Sequence, residues 1–288
     1  MNGRLRWYLK KAARQAVALG ASTSGLPGAN AGSEVLPHVR VLTYHRFGTA
    51  YRDPYCVPLD DFDRQMAWVA ARGCVVSLAD VEAFVAGKQV PPAGAVLVTI
   101  DDGFLSVYRE ALPVLRRYRI PAVAFVPAGE IGHDDRASSR WSDGLPERRL
   151  TWSELLALGD AGLRIGSHAW THRSLARMSA VEMREQAECS RAVLERNTGQ
   201  RVTAFAYPFG TRADYSAATT AAVRDSGYTC AFTSQHGAVR PGADAWTLPR
   251  VKVESGEAPW MFPLLCRGAL DGWRWIDRTL WRLQEHAR

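Results

Sequence analysis

Residues 95–103 read A-V-L-V-T-I-D-D-G, and the reading of this stretch decides the fold. An apolar run without polar alternation is the pattern of a strand buried on both faces, as in parallel sheets covered by helices. The run breaks abruptly into Asp101, Asp102 and Gly103, so two acids stand where a buried strand emerges at its carboxyl end. In α/β proteins that edge is where ligands bind.

Outward from this strand the same alternation continues. Val39–Tyr44, Ala122–Val126 and the runs 163–167, 202–206 and 228–233 read as further strands. Between them, Phe62, Met66 and Val69 share one face of a helix that stops at Gly73, and Leu105, Tyr108, Leu112 and Leu115 recur at helical spacing. Thr151 with Glu154, and Ser179 with Glu182, have capping-box spacing and mark two more helix starts. A polar, Ala-rich helix precedes residue 228. Repeated strand and helix units predict an α/β protein with a mostly parallel sheet wrapped by helices, as a barrel or an open sheet.

The chain has 288 residues, 47% hydrophobic and 23% charged, enough for one large domain or two small ones, and this composition excludes disordered, collagenous and disulfide-scaffold classes. Its net charge of +7 is compatible with nucleic acid, an anionic membrane or an acidic glycan. The excess sits at the ends. Residues 1–40 carry six basic and one acidic residue and residues 260–288 carry five and three, so 41–259 is neutral. No nucleic-acid recognition motif accompanies the charge, so nucleic acid is not an expected partner.

Five cysteines with no C-x-x-C pair favour a reducing compartment, and a cytoplasmic location is the expectation. The basic start followed by residues 16–21 resembles a signal peptide weakly, because Gly20 and Ser22 interrupt a short apolar run; secretion is the alternative. No stretch approaches the roughly 20 apolar residues of a membrane span.

The organisation read from these features is a basic arm and linker at 1–37, a main domain at 38–255 and an amphipathic helical segment at 256–288. In the last, Trp273, Ile276, Leu280 and Leu283 share one face and Arg274, Arg278, Arg282 and Arg288 lie outside it. Such a helix packs back on the domain or lies at a membrane interface, and the basic, Trp-bearing ends together suggest peripheral membrane contact.

Several further strand ends carry polar residues. Residues 165–172 read I-G-S-H-A-W-T-H, and His168 and His172 at i, i+4 converge on one metal if a helical turn lies between them. With one Asp of the pair they make a facial two-His, one-carboxylate set with open positions for water and substrate. The strand ending at Ala206 runs into Tyr207, Pro208, Phe209 and Gly210, a turn that exposes backbone N–H groups able to hold an oxyanion. Tyr44, His45 and Arg46 occupy the equivalent position after the first core strand.

The order T-I-D-D-G, S-H-x-x-x-H, A-Y-P-F-G and L-P-R-V resembles the polysaccharide deacetylase family, also called the NodB-homology or carbohydrate esterase family 4 fold, over about residues 39–253. The resemblance implies a distorted (β/α) barrel with N- and C-terminal helical flanks and a metal-dependent N-deacetylase site at the strand carboxyl ends. Carried over, Asp101 is the general base; Asp102, His168 and His172 hold the metal; and the Phe209 N–H holds the oxyanion, with Tyr207 beside it.

Two departures stand out. Ala206 replaces the Arg that usually orients the catalytic Asp, which makes Arg250 the substitute candidate, with a surface ion pair as its ordinary alternative. The usual late L-x-H histidine is absent, since His236 sits in S-Q-H-G, so His45 becomes the general-acid candidate, in the pattern of exopolysaccharide N-deacetylases.

Trp141, Trp170 and Trp246 are candidates to stack on sugar rings, with core packing as the alternative, and His133, Asp134 and Asp135 lie in a polar loop that could edge the cleft. The implied activity is removal of N-acetyl groups from an acetamido sugar in a glycan, polysaccharide or lipid-linked saccharide. A deformylase or other amide hydrolase, and an inactive carbohydrate-binding protein on the same fold, are the competing readings. The implied cofactor is a divalent metal, with Zn2+ the best match to His and carboxylate donors.

Overall fold

Among the residues described by the computed structural model, which are 3–23, 36–49, 53–132 and 147–279, seven parallel strands close into a barrel. In chain order the strands are β1 (Val39–Tyr44), β2 (Arg46–Phe47), β3 (Cys56–Val57), β4 (Ala95–Asp101), β5 (Ala122–Val126), β6 (Arg164–Ser167), β7 (Ala204–Ala206), β8 (Cys230–His236) and β9 (Leu248–Lys252). β2 and β3 form a separate ribbon; the others run β1-β4-β5-β6-β7-β8-β9, and β9 pairs back with β1. The helices are α1 (Gly3–Thr23), α2 (Leu59–Ala70), α3 (Leu78–Val85), α4 (Leu112–Tyr118), α5 (Trp152–Asp160), α6 (Ala180–Thr198), α7 (Ala217–Asp225), α8 (Met261–Cys266) and α9 (Trp273–Thr279).

The period-2 geometry of a strand sorts the apolar residues into two buried layers. Val41, Leu97, Phe125, Ala206 and Phe232 belong to one cluster, which Leu78, Val81 and Phe84 around α3 complete. Leu42, Val98, Ala124, Phe205 and Val251 belong to the other, shared with the surrounding helices. On β4 the first set continues from Leu97 through Thr99 to Asp101, so the alternation that fills the barrel also directs Asp101 inward.

Both expected capping boxes form: Thr151 accepts from the Glu154 N–H at α5 and Ser179 from the Glu182 N–H at α6. Phe62, Met66 and Val69 are the buried face of α2. Three expectations change. The helix after Asp101 begins with a π-helical turn, Val107–Ala111, which rotates the face so that Val107, Ala111, Val114 and Leu115 are buried while Leu105 and Tyr108 are only partly so. Residues 248–252 are the strand that closes the barrel, despite Pro249, which ordinarily argues against a central strand. The strand read at 202–206 is shortened to its last three residues.

The N-terminal arm is a docked helix. Lys11 and Arg14 are buried and, with Lys10, pair with Glu254 and Glu257 just beyond β9: Lys10 Nζ to Glu254 Oε1 at 2.7 Å, Lys11 Nζ to Glu254 Oε2 at 2.8 Å, and Arg14 Nε to Glu257 Oε1 at 2.5 Å. Arg40 donates to Asp271. Four of the six cations in 1–40 therefore meet acids between residues 254 and 271. Trp273 is half-buried against the core, whereas Trp275 is exposed. Linker residues 24–35, Trp141, His133, Asp134, Asp135, Leu280 and Leu283 lie outside the described residues, and no helix of the described residues is long and apolar enough to cross a membrane.

Candidate active site

Asp101 closes β4 and Arg250 lies in β9. The two meet in a buried, two-pronged pair, with Arg250 Nη1 to Asp101 Oδ1 at 2.8 Å and Nη2 to Oδ2 at 2.7 Å. Arg250 also donates from Nε to the Thr233 carbonyl at 2.9 Å and from Nη1 to Thr99 Oγ1 at 3.3 Å. A planar guanidinium held at both ends fixes the carboxylate plane as well as its charge. Burial alone would raise the Asp101 pKa, but Arg250 and the nearby histidines hold it below the ordinary carboxylate value, so Asp101 is ionised at neutral pH.

The next residue turns the chain. Asp102 adopts φ 73° and Gly103 φ 65°, and a Cβ on Gly103 would lie 2.9 Å from Val126 Cγ1, so the third position of D-D-G admits only glycine. This turn brings Asp102 Oδ1 to 3.4 Å from His168 Nε2 and 3.2 Å from His172 Nε2. The three ligand atoms lie within 4.8 Å of one another.

The histidine segment is not the expected helical turn. After β6 the chain passes through Ala169 at φ 65°, and this left-handed residue, rather than i, i+4 helical spacing, brings the two imidazoles together with centroids 4.9 Å apart. Asp102, Ala169 and Phe209, at φ 60°, are three of the four non-glycine residues with positive φ among those described; the fourth, Arg119, caps α4. Such backbone costs about 1–3 kcal/mol per residue and persists where the surroundings over-determine it.

The donor set fits a cation. His168 Nδ1 lies 2.7 Å from the Ala206 carbonyl, which can only accept, so Nδ1 carries a hydrogen and Nε2, the nitrogen left to offer a lone pair to a cation, faces Asp102. Asp102 Oδ1 is buried and makes no hydrogen bond among the described residues. A lone pair facing a carboxylate oxygen is unfavourable with nothing between them, and a divalent cation resolves it. Burial opposes the Asp102 charge, but its surroundings, His172 foremost, hold its pKa well below the usual range; His172, which burial would lower, is raised by Asp102.

Two residues absent from the sequence reading tie the ligand loops together. Buried Arg149 donates from Nη1 to the Asp102 carbonyl at 2.9 Å and pairs through Nη2 with Glu130 Oε2 at 2.9 Å, and Glu130 Oε1 accepts the His172 N–H at 2.9 Å. Neither belongs to a recognisable motif. They come from separate loops that only the closed barrel brings together.

The remaining candidates divide. His45 follows β1 and faces the charges of Asp102, Asp101 and Arg250; burial dominates and lowers its pKa, so it is neutral at pH 7. The Phe209 ring lies 4.7 Å from that of His172 and is exposed. Tyr207, expected at the substrate, is instead fully buried, its hydroxyl donating to the Trp246 carbonyl at 3.1 Å and its ring stacked on Tyr215 at 5.5 Å. Trp246 is half-buried against the helix-side core cluster, so its main tie to the site is through Tyr207. Trp170 covers Gly129, whose N–H donates to its carbonyl at 2.8 Å and where a Cβ would meet the indole at 2.7 Å. It thereby packs the Glu130 loop onto the histidine segment.

The sequence model for polysaccharide deacetylases matches residues 88–231, half of the chain. The chain belongs to the polysaccharide deacetylase family. It is 26% identical over 208 residues to the poly-β-1,6-N-acetyl-D-glucosamine N-deacetylase of Staphylococcus epidermidis, covering 70% of this chain and 69% of that protein. Among solved structures, IcaB from Ammonifex degensii superposes with a TM-score of 0.66 at 29% identity, covering 81% of this chain and 97% of that one. The Streptococcus pyogenes deacetylase PplD, solved with acetate, superposes at 0.68 with 21% identity over 78% of this chain and 96% of that one, a likeness of fold. The family's seven-stranded barrel with flanking helices is the architecture found here.

Proposed function

We propose that this enzyme removes N-acetyl groups from a β-1,6-linked N-acetyl-D-glucosamine polymer, with zinc held by Asp102, His168 and His172. The observation that carries the reading is the Arg250-clamped Asp101 standing beside that cluster. The substrate class follows that of the staphylococcal relative. A zinc ion bound there supplies Lewis acidity to the amide carbonyl and acidifies a water.

The chain's own residues do the rest. Asp101 accepts the proton of the attacking water at a carboxylate oxygen that Arg250 keeps in place. The Phe209 N–H donates to the carbonyl oxygen as negative charge develops. His45, neutral before turnover, takes over the proton that Asp101 has accepted from the water and delivers it to the departing amine nitrogen, which leaves Asp101 ionised again. Water and amide become acetate and a free amine.

The test is acetate release by purified, zinc-loaded protein from β-1,6-linked N-acetylglucosamine oligomers. The expected result is acetate and amine in equal amounts, abolished by chelation and restored by zinc. Faster formate release from N-formyl analogues would favour deformylation, and metal-loaded protein that turns over neither would overturn the reading.

A further inference from the structure

The three residues of the Asp102, His168 and His172 cluster are not equally supported. The barrel itself fixes His168: its N–H donates to the carbonyl of Val126 at the end of β5 at 2.9 Å, and its Nδ1 meets the carbonyl of Ala206 at the end of β7 at 2.7 Å. His172 lies four residues further on, outside any strand or helix, and Asp102 sits in the left-handed turn just past β4. The strand ladders stop short of both.

A bridge of three contacts joins these two instead. The Asp102 carbonyl accepts from Arg149 Nη1, Arg149 Nη2 pairs with Glu130 Oε2, and Glu130 Oε1 accepts the His172 N–H, each at 2.9 Å. The bridge begins and ends on backbone atoms, so it acts on where Asp102 and His172 stand and leaves Asp102 Oδ1 and His172 Nε2 to face each other at 3.2 Å. It needs a side chain with donors on two nitrogens of one rigid plane and another with two acceptor oxygens.

Arg149 is itself held in place. Residues 148–150 run antiparallel to 103–105, with the Leu105 N–H donating to the Arg148 carbonyl at 3.0 Å and the Leu150 N–H to the Gly103 carbonyl at 2.8 Å. The Arg149 guanidinium lies 4.2 Å from the centre of the Phe104 ring, which Arg46 also approaches, at 5.1 Å. The Gly132 N–H donates to the Leu150 carbonyl at 2.7 Å, which closes the Glu130 loop onto the same segment.

Arg149 and Glu130 offset each other's charge, so what the pair brings to the cluster is geometry rather than a net field. Loops that must be ordered when a ligand arrives subtract that cost from its affinity, and loops ordered beforehand do not. Resting on the zinc site proposed above, we infer that Arg149 and Glu130 are a positioning pair that holds Asp102 and His172 at ligand spacing before the metal binds, and so sets the affinity of the site.

The test is zinc affinity of the whole chain, by competition with a chelating dye, for native protein, Arg149→Met, Glu130→Ala and the double variant. The double variant decides, because it removes the bridge with no change of net charge and leaves no buried ion unpaired, so it folds even where Arg149→Met does not. Its zinc affinity is expected to fall about 10–100-fold, as on losing outer partners of metal ligands, and each folded single variant to lose about as much, since either breaks the same bridge. In the metal-free double variant, backbone amides at 170–174 exchange hydrogen faster than in native protein. Native zinc affinity in the double variant overturns the inference, as does weakened binding with native amide exchange. Tighter binding by Arg149→Met with weaker binding by Glu130→Ala also overturns it, because that pattern is the one charge alone would give. A native protein that holds no stoichiometric zinc defeats this inference together with the proposed zinc site, whereas native zinc binding matched by the double variant defeats this inference alone.

Discussion

The barrel mouth and the clasp formed by α1 both bury arginine against carboxylate, to different ends. At the mouth one guanidinium meets one carboxylate in a planar fork, with the Thr233 carbonyl and the Thr99 hydroxyl taking further N–H groups. At the clasp, Lys10, Lys11 and Arg14 share Glu254 and Glu257. The two acids fare differently there: against the opposing effect of burial, the cations hold Glu254 well below its ordinary pKa, whereas burial leaves Glu257 above its own. Because desolvation offsets much of the attraction in any buried pair, the number of pairs says little about stability. Geometry separates the two regions: the mouth orients a single acid, and the clasp fastens a helix.

The contrast breaks most sharply on metal binding. His168→Ala is expected to abolish stoichiometric zinc, measured by elemental analysis, together with turnover, while Glu254→Ala retains the metal. Zinc retained by His168→Ala would remove the cluster from the account.

Arg250→Met comes next. Leaving Asp101 buried without its partner costs about 3–5 kcal/mol in denaturant unfolding. Its pKa, now held down mainly by Arg250, rises when burial is opposed by the histidines alone, so the acid limb of kcat/KM moves to higher pH. A limb that stays in place would mean that Arg250 does not set the Asp101 charge. Arg14→Met at the clasp loses stability of the same order, yet kcat/KM at 25 °C stays within about twofold of native by the positioning argument. A large loss of activity there would erase the distinction between the regions.

The smallest effect concerns His236, buried near Asp271, whose pKa burial lowers to about 3. A group depressed in the folded state binds its proton first in the unfolded chain, so stability is unaffected above about pH 6.5 and falls as the pH drops below it. From pH 6.5 to 5 that loss is about 2 kcal/mol. His236→Asn should flatten this acid slope in thermal unfolding, and an unchanged slope would contradict it.

The contrast also runs through what the sequence made legible. The apolar run into D-D-G marks a carboxyl-end site because a buried strand must surface somewhere, and Asp102, His168 and His172 stand out because their side chains are the donor types that suit a divalent metal. Arg250 was reachable by asking what replaces the Arg missing at position 206. Hidden were features fixed only by closure of the barrel: the Glu130 and Arg149 tie, the left-handed Ala169 where a helical turn was expected, and the strand around Pro249. The burial of Tyr207 and the half-buried setting of Trp246 were not legible either, because an aromatic beside a motif carries no sign of which layer it faces. At the N-terminus the cations read as free charge, since their acidic partners lie more than 200 residues away.

The central claim is that Asp101, oriented by Arg250, is the base beside the metal site. Its most direct test is acetate release from a β-1,6-linked N-acetylglucosamine pentamer by zinc-loaded Asp101→Asn beside the native enzyme, with bound zinc measured in the same samples. The account predicts full zinc occupancy with turnover reduced by about 10²–10⁴-fold. Native-like turnover by the fully loaded variant would contradict it.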